Sequence, residues 1–559
     1  TCYHNIIGLL TEMIGNPTPM EIPFVAARQL MTYDNPNPIV PQKWHFRQSI
    51  EYSITANRAV LDVASRNREL LLYNIYRMGK NSIDRGSRDH WTILPKHVEG
   101  AKTFEQLRDP AQRDPRVYVI PANQRDFLTA IKFVHALQKT GIVVHRAARA
   151  FTANGREFPA GSFVVKTAQA FRPHVLDMFE PQNYPNDFQY PGGPPIPPYD
   201  NAGWTAAFQM GIEFNRLLDD VAAPLMVAED PVRIPAGKVE SGSSGWELTL
   251  DSNDAYRALN ALGTTAMVSG NSAQATVERL ATEMGLTFKA ASAKGRAVKV
   301  PRVALLDVYG GSMPSGWMRW LFERYGFSFQ VVYPETLNKG DLAASFDVVV
   351  LPQGTYGREG GAREAAGGGQ PKPEAIPNEF RAWLGHATAA EAAPRLKSFV
   401  EAGGTVIALG SSSRLAADLK LPLTNHLVER LPNGTERVLP REKYYIPGSI
   451  LRATVDQRST ATTGLTPQVD LYFDSSPVFR LAPDAAQRGV TALAWFDNPS
   501  PLRSGWAWGQ HYLEGGVVAA VARMGKGRVY LFGPEMTFRA QPHGTFKFVF
   551  NAIHSMNLE

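Results

Sequence analysis

Phe346-Asp347-Val348-Val349-Val350-Leu351-Pro352 is an apolar run of the length of one strand, with no polar alternation to leave a face in water. A strand buried on both faces belongs in a parallel sheet covered by helices. The sequence around it repeats the pattern. Val303-Ala304-Leu305-Leu306 reads as an earlier strand, and Gly316 to Tyr325 as the helix that follows it. Downstream, a helix ending over Leu396 to Ala402 is closed by Gly403-Gly404 and leads into the buried strand Thr405-Val406-Ile407-Ala408-Leu409-Gly410. Strands separated by helices predict a parallel sheet wrapped on both faces, placed over residues 301–559. Gly515 to Val521 and Gly527 to Gly533 read as further strands, and Phe546 to Met556 as a closing helix.

Outward from that domain, residues 239–300 read as a bridging subdomain, with a strand from Trp246 to Leu250 and helices over Asp254 to Leu262 and Ser272 to Met284. Residues 88–238 read as a small α/β unit. It has strands at Val117 to Ile120, Gly141 to Val144 and Gly161 to Val165, and a helix from Asp126 to Thr140. The loop Tyr190 to Pro198 is too rich in proline for a helix or a central strand. Gly357 to Pro373 reads as an exposed insertion. In residues 1–87, Ile6 to Ile14 reads as a buried strand closed by Gly15-Asn16-Pro17, with Glu12 near its end. Ile50, Ile54, Leu61, Ala64, Leu71, Ile75 and Met78 recur at the spacing of one long amphipathic helix.

At 559 residues the chain is long enough for three or four packed units. Its 44% hydrophobic and 20% charged content is that of a globular protein, and no apolar run reaches the length of a membrane span. The net charge of +6 is scattered among acids, without the basic stripe that a nucleic-acid partner requires. Cys2 is the only cysteine, so no disulfide or cysteine-based metal cluster forms within the chain. Thr1-Cys2-Tyr3-His4 opens without an initiator Met or a signal region and runs at once into the apolar segment. That start is read as a truncation or an assembly edge.

Gly8-Leu9-Leu10-Thr11-Glu12 and the segment Pro41-Gln42-Lys43-Trp44-His45-Phe46-Arg47-Gln48-Ser49-Ile50-Glu51-Tyr52 together resemble the last strand and terminal helix of the M14 zinc carboxypeptidase family, over about residues 1 to 87. The resemblance implies a carboxypeptidase-type hydrolase of C-terminal peptide bonds, with a peptide or protein substrate, zinc as cofactor and an exported, periplasmic or extracellular location. It assigns Glu12 as the general base that takes a proton from the zinc-activated water and hands it to the leaving amine, a role suited to a partly desolvated carboxylate of raised pKa. The family's zinc ligands, a His-x-x-Glu pair and a later His, precede the catalytic glutamate. Only eleven residues precede Glu12, and His4 is the one histidine among them, so no metal ligand is assigned within this chain. His4 is read as a packing or hydrogen-bonding group. His511-Tyr512-Leu513-Glu514 has the ligand spacing but lies far along the chain.

The helix Gly316 to Glu323, the strand and turn Val406 to Ser413 and the end Gly525 to Glu535 resemble class I glutamine-amidotransferase-like domains. The expected architecture is therefore multidomain α/β: the end of a carboxypeptidase-type domain, a small α/β unit, and a doubly wound, flavodoxin- or amidotransferase-like domain. Active amidotransferases place a cysteine at the strand-to-helix elbow and a His and Glu near the last strand. Here the elbow carries serines, and Gly533 precedes Pro534-Glu535, so the domain is expected to be a non-catalytic scaffold that holds a ligand or partner. Ser412 with His386, His511 or His543 is the alternative serine-hydrolase arrangement, although Arg414 stands where the elbow pattern wants glycine. Trp317 and Trp320 read as a packing face around Arg319. Trp506 and Trp508 read as neighbours on one sheet face, and Arg539, Gln541 and His543 as a loop capping the last helix.

Overall fold

The computed structural model describes residues 2–16, 18–241, 245–265, 271–291, 298–357 and 370–558. Pro17 and most of the expected insertion, 358–369, lie outside the described residues. The chain divides into two compact units, Thr1–Asp89 with Thr167–His174, and His90–Lys166 with Val175–Glu559.

In the first unit, β1 (Met20–Ile22) and β2 (Gln42–Trp44) form an antiparallel pair, and α1 (Phe46–Arg66) and α2 (Arg68–Gly86) follow. The Gln48 side chain accepts from the His45 backbone N–H and so starts α1. The indole of the buried Trp44 donates to Ser49 Oγ, which donates to the Ile14 carbonyl and ties the leading segment to the helix. Two expectations fail here. The single long helix is broken at Asn67, whose backbone leaves the helical region at φ −107°, ψ 21°. The segment Ile6 to Ile14 is not a buried strand: it has no regular secondary structure and is exposed, with Leu9 and Leu10 73% and 75% accessible. A strand needs neighbours to take up its amides and cover its side chains, and no described strand pairs with this one.

The second unit begins with β3 (Val117–Ile120), α3 (Phe127–Lys139), β4 (His145–Ala147), β5 (Phe163–Lys166), β6 (Asn215–Leu217) and β7 (Leu225–Val227). The strands form an antiparallel sheet in the order β6-β3-β5-β4-β7. Asp126 caps α3 by accepting from Thr129 N. The strand expected at Gly141 to Val144 starts only at His145, because Gly141 is spent at φ 80° in the turn that ends α3. The bridging segment matches its pattern: β8 (Trp246–Leu248), α4 (Asn253–Thr265), α5 (Asn271–Met284) and β9 (Phe288–Ala290), with β8 and β9 paired.

The remaining elements build one large sheet. Its parallel part uses β10 (Val303–Leu306), α6 (Met313–Tyr325), β11 (Phe329–Val332), β12 (Val348–Leu351), α7 (Ala392–Glu401) and β13 (Thr405–Leu409). After these come β14 (Ser449–Val455), β15 (Gln468–Phe473), β16 (Val490–Trp495), β17 (Val517–Met524), β18 (Gly527–Phe532) and α8 (Phe546–Ile553). The order is β11-β10-β12-β13-β18-β17-β16-β14-β15. The pairs from β11 to β18 are parallel, as the apolar runs require, and every pair beyond β18 is antiparallel. The sheet is thus mixed, where a wholly parallel one was expected. The parallel strands are buried on both faces: Leu305, Val350 and Ile407 pack with Phe322 and Phe550, while Leu306, Val349 and Val406 pack with Leu396 and Phe399.

Candidate functional site

Glu12 lies on the exposed leading segment of the first unit, between apolar side chains that face water. The desolvating enclosure at a strand end that its assigned role relied on is not formed around it. His4, in the short helical turn Cys2–His4, packs its ring against Phe171 at 4.8 Å and His174 at 4.5 Å, which agrees with a packing role. Burial, with the neighbouring His4 imidazole adding to it, pushes His174 down to about 4. Among the described residues no group of three His, Cys, Asp or Glu is placed to hold a metal ion. His511 sits in the turn Gln510–Leu513 with its ring against Tyr512 at 4.2 Å, and it gains no ligand set with Glu514.

The turn after β13 is the second location. Its left-handed residue is Gly410 (φ 56°), and a Cβ there would stand 2.2 Å from Gln353 Oε1. The position around which a nucleophile elbow is built therefore carries no side chain and has no room for one. Ser412 lies two residues on and is fully buried. Its hydroxyl donates to the Pro352 carbonyl at 2.6 Å and accepts from Tyr356 N at 3.2 Å, so it bolts the loop after β12 to the loop after β13. None of its partners is a histidine. Beyond β18, a Cβ on Gly533 would stand 1.9 Å from the Pro477 carbonyl oxygen, which excludes any side chain where the resemblance wants a histidine. What survives is Glu535, only 8% exposed. Burial pushes its carboxyl up to about 7, with Asp474 adding to the effect and Arg539 opposing it. Arg539 is itself held by both oxygens of Asp200 at 2.8 Å.

No family model matches the sequence, and no curated protein matches it. Solved structures similar to it include a ThuA-like protein from Bacteroides uniformis, at 9% identity over 47% of this chain and 93% of that one, with a TM-score of 0.27. PurLQS from Thermotoga maritima matches at 15% identity over 46% of this chain and 98% of that one, TM-score 0.27. A β-galactosidase from Rahnella sp. R3 matches at 14% identity over 47% of this chain and 32% of that one, TM-score 0.25.

The aromatic candidates are placed differently from expectation. Trp317 and Trp320 are 40% and 47% exposed and meet each other edge to face, because α6 packs through Met318, Leu321, Phe322 and Tyr325 instead. Trp506 and Trp508 lie in a loop after the short strand Leu502–Ser504. Trp506 is buried and donates to Asn186 Oδ1, while Trp508 donates to the Glu442 carbonyl. Arg539 is committed to Asp200, and His543 contacts the Gln541 carbonyl at 2.8 Å with its ring tilted against Phe546 at 4.8 Å. The residue missed by pattern reading beside the last helix is Lys547, 5% exposed in its first turn. One signal was available: a lysine between Phe546 and Phe548 at the start of an apolar helix.

Proposed function

We propose that residues 1–87 are the C-terminal end of a metallocarboxypeptidase-type domain that hydrolyses C-terminal peptide bonds of an exported protein's peptide substrates, with Glu12 moving the proton and the metal-holding residues outside residues 1–559. The supporting observation is the apolar surface of the first unit. Ile6, Ile7, Leu9 and Leu10 flank Glu12, and Ile50, Leu61, Leu72 and Ile75 line α1 and α2, all of them more than a third exposed. A surface of that extent is the half of a core that another layer covers. Once covered, the same layer would desolvate Glu12, and the carboxylate would take a proton from the attacking water and return it to the leaving amine. By itself the chain is inactive on this reading.

The second unit is a non-catalytic binding module on this proposal. Gly410 and Gly533, each with another group where a side chain would go, favour that reading over hydrolysis. The test is zinc content and release of C-terminal residues from a peptide, measured on residues 1–559 and on a chain extended upstream. Zinc and activity in the longer chain only, with Glu12→Gln abolishing hydrolysis and keeping the metal, is the expected result. Inactivity of both chains overturns the peptidase reading and leaves the binding module. Stoichiometric zinc in residues 1–559 overturns the placing of the ligands outside them.

A further inference from the structure

Within the second unit, a cavity of about 430 Å³ opens where the start of α3 and the loop 207–213 meet β14, β15 and the first turn of α8. Ligand pockets run from roughly 300 to 1,000 Å³, so it is large enough for a small molecule. Seven charged side chains line it, and five of them are committed. Arg125 donates to Asp251 at 2.5 Å and to the Leu465 carbonyl, and Arg452 holds Asp470 through two hydrogen bonds of 2.8 and 2.9 Å. Asp470 also faces Arg503, and Asp126 caps α3 through Thr129.

Two groups retain capacity. Lys547 is 5% exposed, and its ammonium, with three donors, makes a single 3.4 Å contact to Asp126. Burial holds it below the usual lysine range, with Asp126 opposing that shift. Glu213, exposed at the rim, has a carboxylate with no partner among the described residues. A buried ammonium short of acceptors calls for an anionic group, and the exposed Glu213 carboxylate places a negative charge at the mouth to meet a cationic one. Phe208, Met210 and Leu465 add apolar lining to the same cavity. The wall carries three cations against four acids, which disfavours a multiply charged anion such as phosphate.

We infer that this cavity binds a small zwitterion of the α-amino-acid class with an apolar side chain, its carboxylate on Lys547 and its ammonium at Glu213. The site is independent of the peptidase reading, since Glu12 lies in the other unit.

Calorimetric titration of the intact chain with L-leucine tests it, with 4-methylpentanoate, 3-methylbutylamine and inorganic phosphate as comparators. Leucine is expected to bind, and each comparator about tenfold or more weaker, since each lacks one charged hydrogen-bonded end or carries excess charge. Lys547→Met and Glu213→Gln are each expected to weaken leucine by a similar factor, and Thr466→Trp, at an exposed lining position, to block it. Glu213→Gln and Thr466→Trp alter exposed residues and keep the test decisive should Lys547→Met fail to fold. Absence of leucine binding, equal binding of 4-methylpentanoate or phosphate, or unchanged binding in Glu213→Gln and Thr466→Trp overturns the assignment. Glu12→Gln is expected to leave the titration unchanged.

Discussion

Glu535 ionises in the folded protein only as the pH nears 7, against 4.5 for a solvated glutamate, so between those values the native state holds a proton that the unfolded chain has released. Its contribution to stability is fully present below pH 4.5 and is lost as the pH rises through 7. That rise in its pKa corresponds to roughly 3 kcal/mol. Denaturant unfolding of the second unit at pH 5 and pH 8 checks this: Glu535→Gln is expected to flatten the fall in stability across that window. Ser412 makes a contrasting prediction. Ser412→Ala leaves the Tyr356 amide without its acceptor and is expected to cost about 1–3 kcal/mol. Wild type and variant alike are expected to remain unlabelled by a fluorophosphonate probe, and labelling at Ser412 would restore the serine-hydrolase reading. Sequence reading singled out Glu12 as the desolvated acid and kept Glu535 only as the remnant of a motif that lacks its histidine. The distinction is tertiary: Glu535 is buried with Asp474 and Arg539 near it, while Glu12 lies on an exposed segment.

The two glycines that end β13 and β18 act as elements of close approach. Gly533→Ala drives a methyl into the Pro477 carbonyl and is expected to destabilise the second unit by about 3 kcal/mol or more, read from the denaturation midpoint. Gly326, the left-handed residue (φ 70°) that closes α6, has open space around its Cβ position, so Gly326→Ala is expected to cost only about 1 kcal/mol. Strand positions were legible where burial on both faces leaves a continuous apolar run, as in β10, β12 and β13. They were not legible at Gly141 to Val144, where a turn consumes the first residues, nor at Ile6 to Ile14, where composition is that of a strand but no partner is described. Asn67 gives no compositional warning strong enough to split a helix that the apolar spacing carries straight through.

At the scale of the whole chain, the two units differ in how they hold apolar surface. The second unit buries its large residues on both faces of one sheet, whereas the first leaves Leu9, Leu10, Leu61 and Leu72 between 61% and 75% exposed. Changing those four to serine is expected to cut binding of a polarity-sensitive dye by about half or more while leaving the unfolding midpoint of the second unit unchanged. The order of the large sheet was beyond sequence reading, because nothing in the apolar runs of β17 and β18 specifies that they pair antiparallel and sit between the two halves. That seam is a hairpin turning at Gly525 and Lys526, with Met524 opposite Gly527. Everything from β10 to β13 lies on one side of it and β14 to β16 on the other, yet all of those strands are synthesised first. During translation the two halves therefore leave the ribosome with open edges facing each other and no strand to join them. Closure waits for Val517–Met524 and Gly527–Phe532, the last strands of the sheet to be made, to pair locally and zip both sides, which makes this hairpin the timer of the sheet's folding.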